Sequence, residues 1–238
     1  MKKDYIYFTF LHEEEVRNTL IAANQVKEYR YSYSQQQIVP IVYRKNNFHK
    51  LRISLNGGWG YRTAPLSDNL SSQEKAYLKN FMSGLNIDGD ISFFFHECLG
   101  VGLKFNMFTT SATTYSATER MTMPFVGPLF STRIYDRSKR NYWIFGATIG
   151  YFGYNDRTKS GGGRASAKGS TVGIGYEVGY DIVLSENWLA GFQFSTLNGV
   201  LTRIKETVNG KTSTIELEKG SYEGLGRINL SVGLKYSF

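Results

Sequence analysis

Apolar and polar residues alternate along most of the chain. In the final segment, RINLSVGLKYSF, one parity holds Ile228, Leu230, Val232, Leu234, Tyr236 and Phe238, and the other holds Arg227, Asn229, Ser231, Gly233, Lys235 and Ser237. A period of two predicts a strand with one apolar and one polar face. The pattern recurs upstream. KLRISLNGGWGYRT sets Leu51, Ile53, Leu55, Trp59 and Tyr61 against Arg52, Ser54, Asn56 and Arg62. NIDGDISFFF sets Ile87, Ile91, Phe93 and Phe95 against Asn86, Asp88, Asp90 and Ser92. LGVGLKFNMF sets Leu99, Val101, Leu103, Phe105 and Met107 against Gly100, Gly102, Lys104 and Asn106. Further strands are predicted at about 123–135, 141–155, 170–184, 187–205 and 221–238.

HECLG, DRSKR and SENW read as tight turns, whereas the stretches near 64–83, 110–121, 156–168 and 206–219 read as long polar loops. About eight strands joined by alternating short and long connections suit an up-and-down barrel. Residues 1–48 differ: YIYFTF and the region around VKEYRYSYS read as strands flanking the acidic turn HEEEVRN, and QQQIVPIVYRKNN reads as a linker. Such a piece is too small for a core of its own. It reads as a partial β module ahead of a barrel over residues 49–238. The apolar run Tyr5–Leu11 is short, aromatic and followed by acids, unlike a signal peptide. The expectation is a cytoplasmic chain or one whose real beginning is missing.

Charge separates two readings of the alternation. In a soluble sandwich the polar face meets water; in a transmembrane barrel it lines the interior and the apolar face meets lipid. The polar parity carries Arg52, Arg62, Lys104, Arg133, Arg227 and Lys235 against Asp88, Asp90, Glu177, Asp181 and Glu223, nearly neutral in a chain of net charge +8. Balance is what a confined interior demands, because an unpaired buried charge costs several kcal/mol. The expectation is therefore an all-β, eight-stranded antiparallel transmembrane barrel with an interior ion network of those eleven residues. Composition agrees: 16 Phe, 17 Tyr and 25 Gly accompany only 4 Pro, and no apolar run is long enough for a transmembrane helix. The single cysteine, Cys98, excludes an intrachain disulfide and a cysteine-based metal cluster. The positive charge is dispersed, without the basic, aromatic-interleaved platform of a single-strand nucleic-acid binder.

LNGGWGYRT, FFFHECLGVGLKF, LSENWLAGFQF and the terminal RINLSVGLKYSF resemble strands and hairpins of the outer-membrane β-barrel family of Gram-negative bacteria. The resemblance covers about residues 49–238. It implies short periplasmic turns, longer extracellular loops and a periplasmic N-terminal segment. It also implies that Phe238 belongs to the signal read by the barrel-assembly machinery, and that the chain lives among outer-membrane lipid and lipopolysaccharide. The family is exported with a signal peptide, from which this chain departs, and has no single activity.

Several motifs compete for a chemical role. GIGYEVG at 173–179 imitates a dinucleotide glycine motif, but the alternation runs straight through it, so inward strand glycines explain it. GGGRASAKG at 161–169 lacks the ending of a phosphate-binding loop and reads as an outside loop. Its neighbourhood supplies Arg157, Lys159, Arg164 and Lys168, candidates to meet lipid phosphates. His96, Glu97 and Cys98 read as a turn rather than a metal site. His12, His49 and His96 all fall away from the outer rim, where a barrel hydrolase or acyltransferase needs its base. SSQEKAYLKNFMSG at 71–84 reads as a loop helix, with Ser71 and Glu74 as a capping box and Tyr77, Leu78 and Phe81 as its apolar stripe. Tyr77 and Phe81 are candidate partner contacts. Pro124 and Pro128 break the strand rules on the lipid parity, marking an irregular strand end or a lateral weak point for lipid or a partner. The functional expectation is a non-enzymatic barrel without cofactor, acting as scaffold, surface-contact protein or accessory subunit to other outer-membrane proteins. The alternatives are a narrow channel, a lipid-modifying enzyme and a soluble ligand-binding barrel.

Overall fold

The computed structural model describes residues 5–12, 15–26, 48–63, 79, 81–113, 117–137, 140–161, 163–218 and 222–238. The chain divides into two units, Met1–Asn46 and Asn47–Phe238. In the first, β1 (Tyr5–His12) and β2 (Glu15–Ala22) pair antiparallel from Tyr5 opposite Ala22 to His12 opposite Glu15, ahead of a 3-10 turn at Ala23–Gln25. The second strand is thus EVRNTLIA, which takes in most of the stretch expected to be a turn. The strand expected around VKEYRYSYS and the linker lie, beyond Val26, outside the described residues.

In the second unit eight strands close into a ring. They are β3 (Leu51–Arg62), β4 (Ser83–Phe94), β5 (Leu99–Thr113), β6 (Ala117–Tyr135), β7 (Tyr142–Ser160), β8 (Gly163–Val183), β9 (Trp188–Asn198) and β14 (Arg227–Ser237). Each pairs antiparallel with the next, and β14 returns to β3 to close the ring. Between β9 and β14 the chain adds β10 (Val200–Leu201), β11 (Arg203–Val208), β12 (Lys211–Glu216) and β13 (Glu223–Gly224).

The alternation orients each strand as expected. Val232 and Val172 are 67% and 68% exposed on the outside, whereas Asn229 and Asp88 are fully buried within. Tight turns after Phe94, Tyr135 and Val183 define one end, here the turn rim. Just above it, on the outer face, Trp143 stands against Tyr180 at 5.0 Å and Trp188 against Tyr236 at 5.1 Å. Phe238 extends this aromatic zone at 5.6 Å from Tyr236, and its backbone exchanges two 2.9 Å hydrogen bonds with Leu51. Trp59 and Tyr61 stand 5.7 Å apart toward the opposite, loop rim.

Two of the expected long loops are strand instead. β7 and β8 run 19 and 21 residues, with only residues 161 and 162 between them, so the stretch near 156–168 is hairpin. β5 and β6 likewise consume most of 110–121. The stretch near 206–219 holds the β11–β12 hairpin, turned by Asn209 and Gly210 at φ +49° and +83°. Two consecutive positive φ values fit the Asn-Gly turn that matches strand twist. β11 then pairs with the start of β8. A membrane-crossing strand needs about 9–11 residues. The outer face of β7 is apolar or aromatic from Trp143 to Tyr151, and that of β8 from Val172 to Ile182. Their upper halves therefore stand clear of the apolar belt, joined to β11 and β12 as a projecting sheet.

Candidate functional site

The middle of the barrel holds the ion network. Arg52, from β3, donates through Nη1 to Asp90 at 2.8 Å and through Nη2 and Nε to Asp181 at 2.9 and 3.1 Å. Lys235 Nζ lies 3.4 Å from the other Asp181 oxygen. Lys104 bonds the Glu177 carboxylate and lies 3.7 Å from Asp88. Asn56 donates to Asp88 at 2.8 Å, and Gln193 to Glu177 at 3.0 Å. β3, β4, β5, β8, β9 and β14 are thereby tied across the lumen. Two inward glycines make room: a Cβ on Gly146 would stand 2.6 Å from Glu177, and one on Gly191 2.5 Å from Asp181.

Two expected members are held differently. Arg227 has no carboxylate partner among the described residues. It donates to the Met123 carbonyl at 2.9 Å and to Asn106 at 2.5 Å, and lies over the rings of Phe152 and Phe108 at 4.9 and 5.6 Å. Arg133, at the turn rim, lies 3.9 Å over Phe94 and donates to the carbonyls of Glu97 and His49 at 2.6 and 3.0 Å. Desolvated cation–π contacts and carbonyls replace the counter-charge. His49 and Phe48 accordingly belong with the barrel, since the Phe48 ring also lies 5.5 Å from Arg133. Arg62 and Glu223 pair at 2.6 Å near the loop rim.

Above the network an apolar plug fills the lumen with Phe81, Phe108, Met123, Phe125, Phe152, Leu197 and their neighbours. Phe125 and Phe152 meet edge to face at 5.8 Å. The alternation missed this plug. Its signal was present, because Phe125 and Phe152 sit on the inward parity beside apolar Val126 and Tyr151 on the outward one. Phe81 belongs to the plug at 1% exposure, so it offers no partner contact. Gly84, expected to end a loop helix, lies in β4; Ser71, Glu74, Tyr77 and Leu78 lie outside the described residues.

Pro124 and Pro128 face outward on β6. The β6–β7 register omits Met123, Pro124, Gly127 and Pro128, as expected where proline removes a ladder donor. Pro128, Phe130, Ile149, Ile174 and Tyr176 line a shallow outer groove of about 420 Å³. GIGYEVG is unbroken strand, and a Cβ on Gly173 would stand 2.7 Å from Phe152. His96, Glu97 and Cys98 form a turn, and no metal-binding cluster exists among the described residues. Arg157, Lys159, Arg164 and Lys168 lie in β7 and β8, not in a loop.

The inner face of the projecting sheet carries Asp156. Burial and the neighbouring Glu119 carboxyl push its pKa up to about 7. An acid raised in the folded state stabilises it fully below the unfolded value near 4 and loses that contribution as pH rises through about 7. Amide exchange around Met121 and Asp156, corrected for intrinsic rate, is expected to be faster at about pH 8.5 than at about pH 5.5. Asp156→Asn removes the difference; equal corrected rates in the parent chain would mean that Asp156 does not change its protonation state between the two pH values.

A closed ring with an apolar outside, aromatic zones and a polar, ion-paired middle is a transmembrane β-barrel. Its architecture is that of the small eight-stranded outer-membrane barrels of Gram-negative bacteria. No protein-family model matches the chain. No curated protein matches it. Among solved structures it is similar to Neisserial surface protein A, at 12% identity and a TM-score of 0.49 over 79% of this chain and 97% of that one. It is similar to OprG of Pseudomonas aeruginosa, at 12% identity and 0.47 over 80% and 97%. Ail of Yersinia pestis aligns at 13% identity and 0.38 over 79% and 99%. At these identities the likeness is one of fold.

Proposed function

We propose that the chain is a non-enzymatic, non-conducting outer-membrane barrel. It acts as a scaffold that holds its projecting sheet at the cell surface for surface contacts or for other outer-membrane proteins. The filled lumen carries this reading: an ion network in the middle, the Phe108–Phe152 plug above and Arg133 with its rings below. Eight strands enclose just enough space for side chains. Among the described residues no histidine stands at the loop rim to serve as a base, which favours a scaffold over a lipid-modifying enzyme. In this reading the turn rim and the first unit face the periplasm. Phe238, 53% exposed at the seam, serves the assembly machinery that inserts the barrel.

Planar-bilayer recording of the purified full chain tests it. The expected record is flat at both polarities. Regular unitary steps would replace the scaffold with a narrow channel, and a mass shift of lipid A in overproducing cells would replace it with an enzyme.

A further inference from the structure

The outward face of the projecting sheet sets like charge against like charge on three neighbouring ladders. Arg120 of β6 lies directly opposite Arg157 of β7. Lys159 of β7 lies opposite Arg164 of β8. Lys168 of β8 lies opposite Lys205 of β11. None of these six has a carboxylate within salt-bridge distance among the described residues. The nearby Arg203 does, at 2.7 Å from Glu216. Like charges directly opposite one another destabilise a sheet, and ordinary surfaces intersperse the two signs. Three such pairs on one face are unfavourable in the isolated chain and become favourable when multivalent anions lie across them.

Position identifies the anion. The basic face continues the apolar belt on the same strands. Lys168 stands four residues beyond Val172, about 13 Å along the strand and about 10 Å in height at the usual tilt. That is the level of lipid headgroups just outside the hydrocarbon core. There Lys168, Lys205, Arg203, Ser170, Thr202 and Tyr151 line a polar hollow of about 480 Å³, offering cations and hydroxyls together. Charge-assisted bonds to phosphate oxygens are the strong contacts such a set makes.

We infer that this face binds the phosphate groups of the lipid headgroups around the barrel, with the Lys168–Lys205 pair as its direct contacts and the two higher cation pairs adding to the positive field above them. The site tethers the projecting sheet to the leaflet surface and fixes the barrel's height and tilt. It rests on the reading of the chain as a bilayer-embedded barrel.

The test uses the full chain in phosphatidylcholine vesicles, with spin-labelled phosphatidic acid and spin-labelled phosphatidylcholine as probes of the lipid shell. Phosphatidic acid is expected to be preferred by about fivefold or more, falling with salt. Lys159→Gln, Lys168→Gln and Lys205→Gln together are expected to abolish the preference. In zwitterionic detergent without phosphate the same variant is expected to melt at or above the parent temperature, because the three changes together remove two of the three like-charge oppositions. That rise separates a binding face from a merely structural one. Equal partition of the two lipids, or a preference unchanged in the variant, overturns the inference while leaving the barrel reading intact. Binding of inorganic phosphate without lipid preference overturns the lipid assignment in favour of a soluble anion. A chain that never enters the vesicles overturns both readings.

Discussion

Arg52→Met is expected to lower the unfolding free energy of the barrel by about 3–5 kcal/mol. Arg52 is 1% exposed and holds two carboxylates, Asp90 and Asp181, on opposite sides of the lumen. Without it both stand desolvated with a mutual repulsion, and among the described residues only Lys235, at 3.4 Å from Asp181, remains beside either of them within salt-bridge distance. Urea unfolding in lipid vesicles reads the change. Trp59, Trp143 and Trp188 all face outward and report departure from lipid directly. Adding Asp90→Asn to Arg52→Met is expected to return part of the loss, because the orphaned charge is then gone. A loss under about 1 kcal/mol in the single variant would mean that the network is solvated, as an exposed pair would be.

Phe152→Ala is expected to cost a similar amount, about 3–5 kcal/mol, by a different route. Its ring is fully buried, meets Phe125 edge to face and carries the Arg227 guanidinium at 4.9 Å. Truncation leaves a cavity and strips a desolvated cation of one of its two rings. The neighbouring glycines supply the control. A Cβ on Gly173 would stand 2.7 Å from the Phe152 ring, so Gly173→Ala clashes in the parent chain and gains room once Phe152→Ala has removed that ring. The double variant is therefore expected to be more stable than the summed costs of Gly173→Ala and Phe152→Ala would make it. Conductance stays absent, because the Arg52 and Lys104 pairs still cross the lumen below. Strict additivity would mean that the two positions are not in contact.

The alternation disclosed the barrel because one face of each strand must suit lipid and the other a crowded polar interior. Arg52, Asp90, Lys104, Glu177, Asp181 and Lys235 were legible as one set, since each sits on the polar parity of its own strand. What parity cannot supply is which charge meets which across the lumen. Stagger between strands decides that, and it left Arg133 and Arg227 to rings and carbonyls. The plug escaped for a related reason. Where both parities are apolar, as at Phe125–Val126 and Tyr151–Phe152, the period disappears and inside cannot be told from outside. The projecting sheet was hidden by composition. Residues 156–168 are polar, glycine-rich and basic, which resembles a loop, yet the ladder from Asn155 opposite Lys168 to Ser160 opposite Gly163 persists. The Asn209–Gly210 pair was the one local sign of the last hairpin.

The two hydrogen bonds between Leu51 and Phe238 join the first and last strands of the ring. Every other neighbouring pair in the ring, apart from β9 with β14, is linked by one short connection or a single longer loop, so its contacts form early at small entropic cost. The β3–β14 seam has to wait for all of them. Until it closes, both strands are bare edges with unpaired amides and carbonyls, the form of strand most prone to pair with another chain. Maturation of this protein is therefore a race between one intramolecular zipper and every intermolecular one. The final hydrogen bonds at Leu51 and Phe238 mark the moment at which the molecule ceases to be sticky.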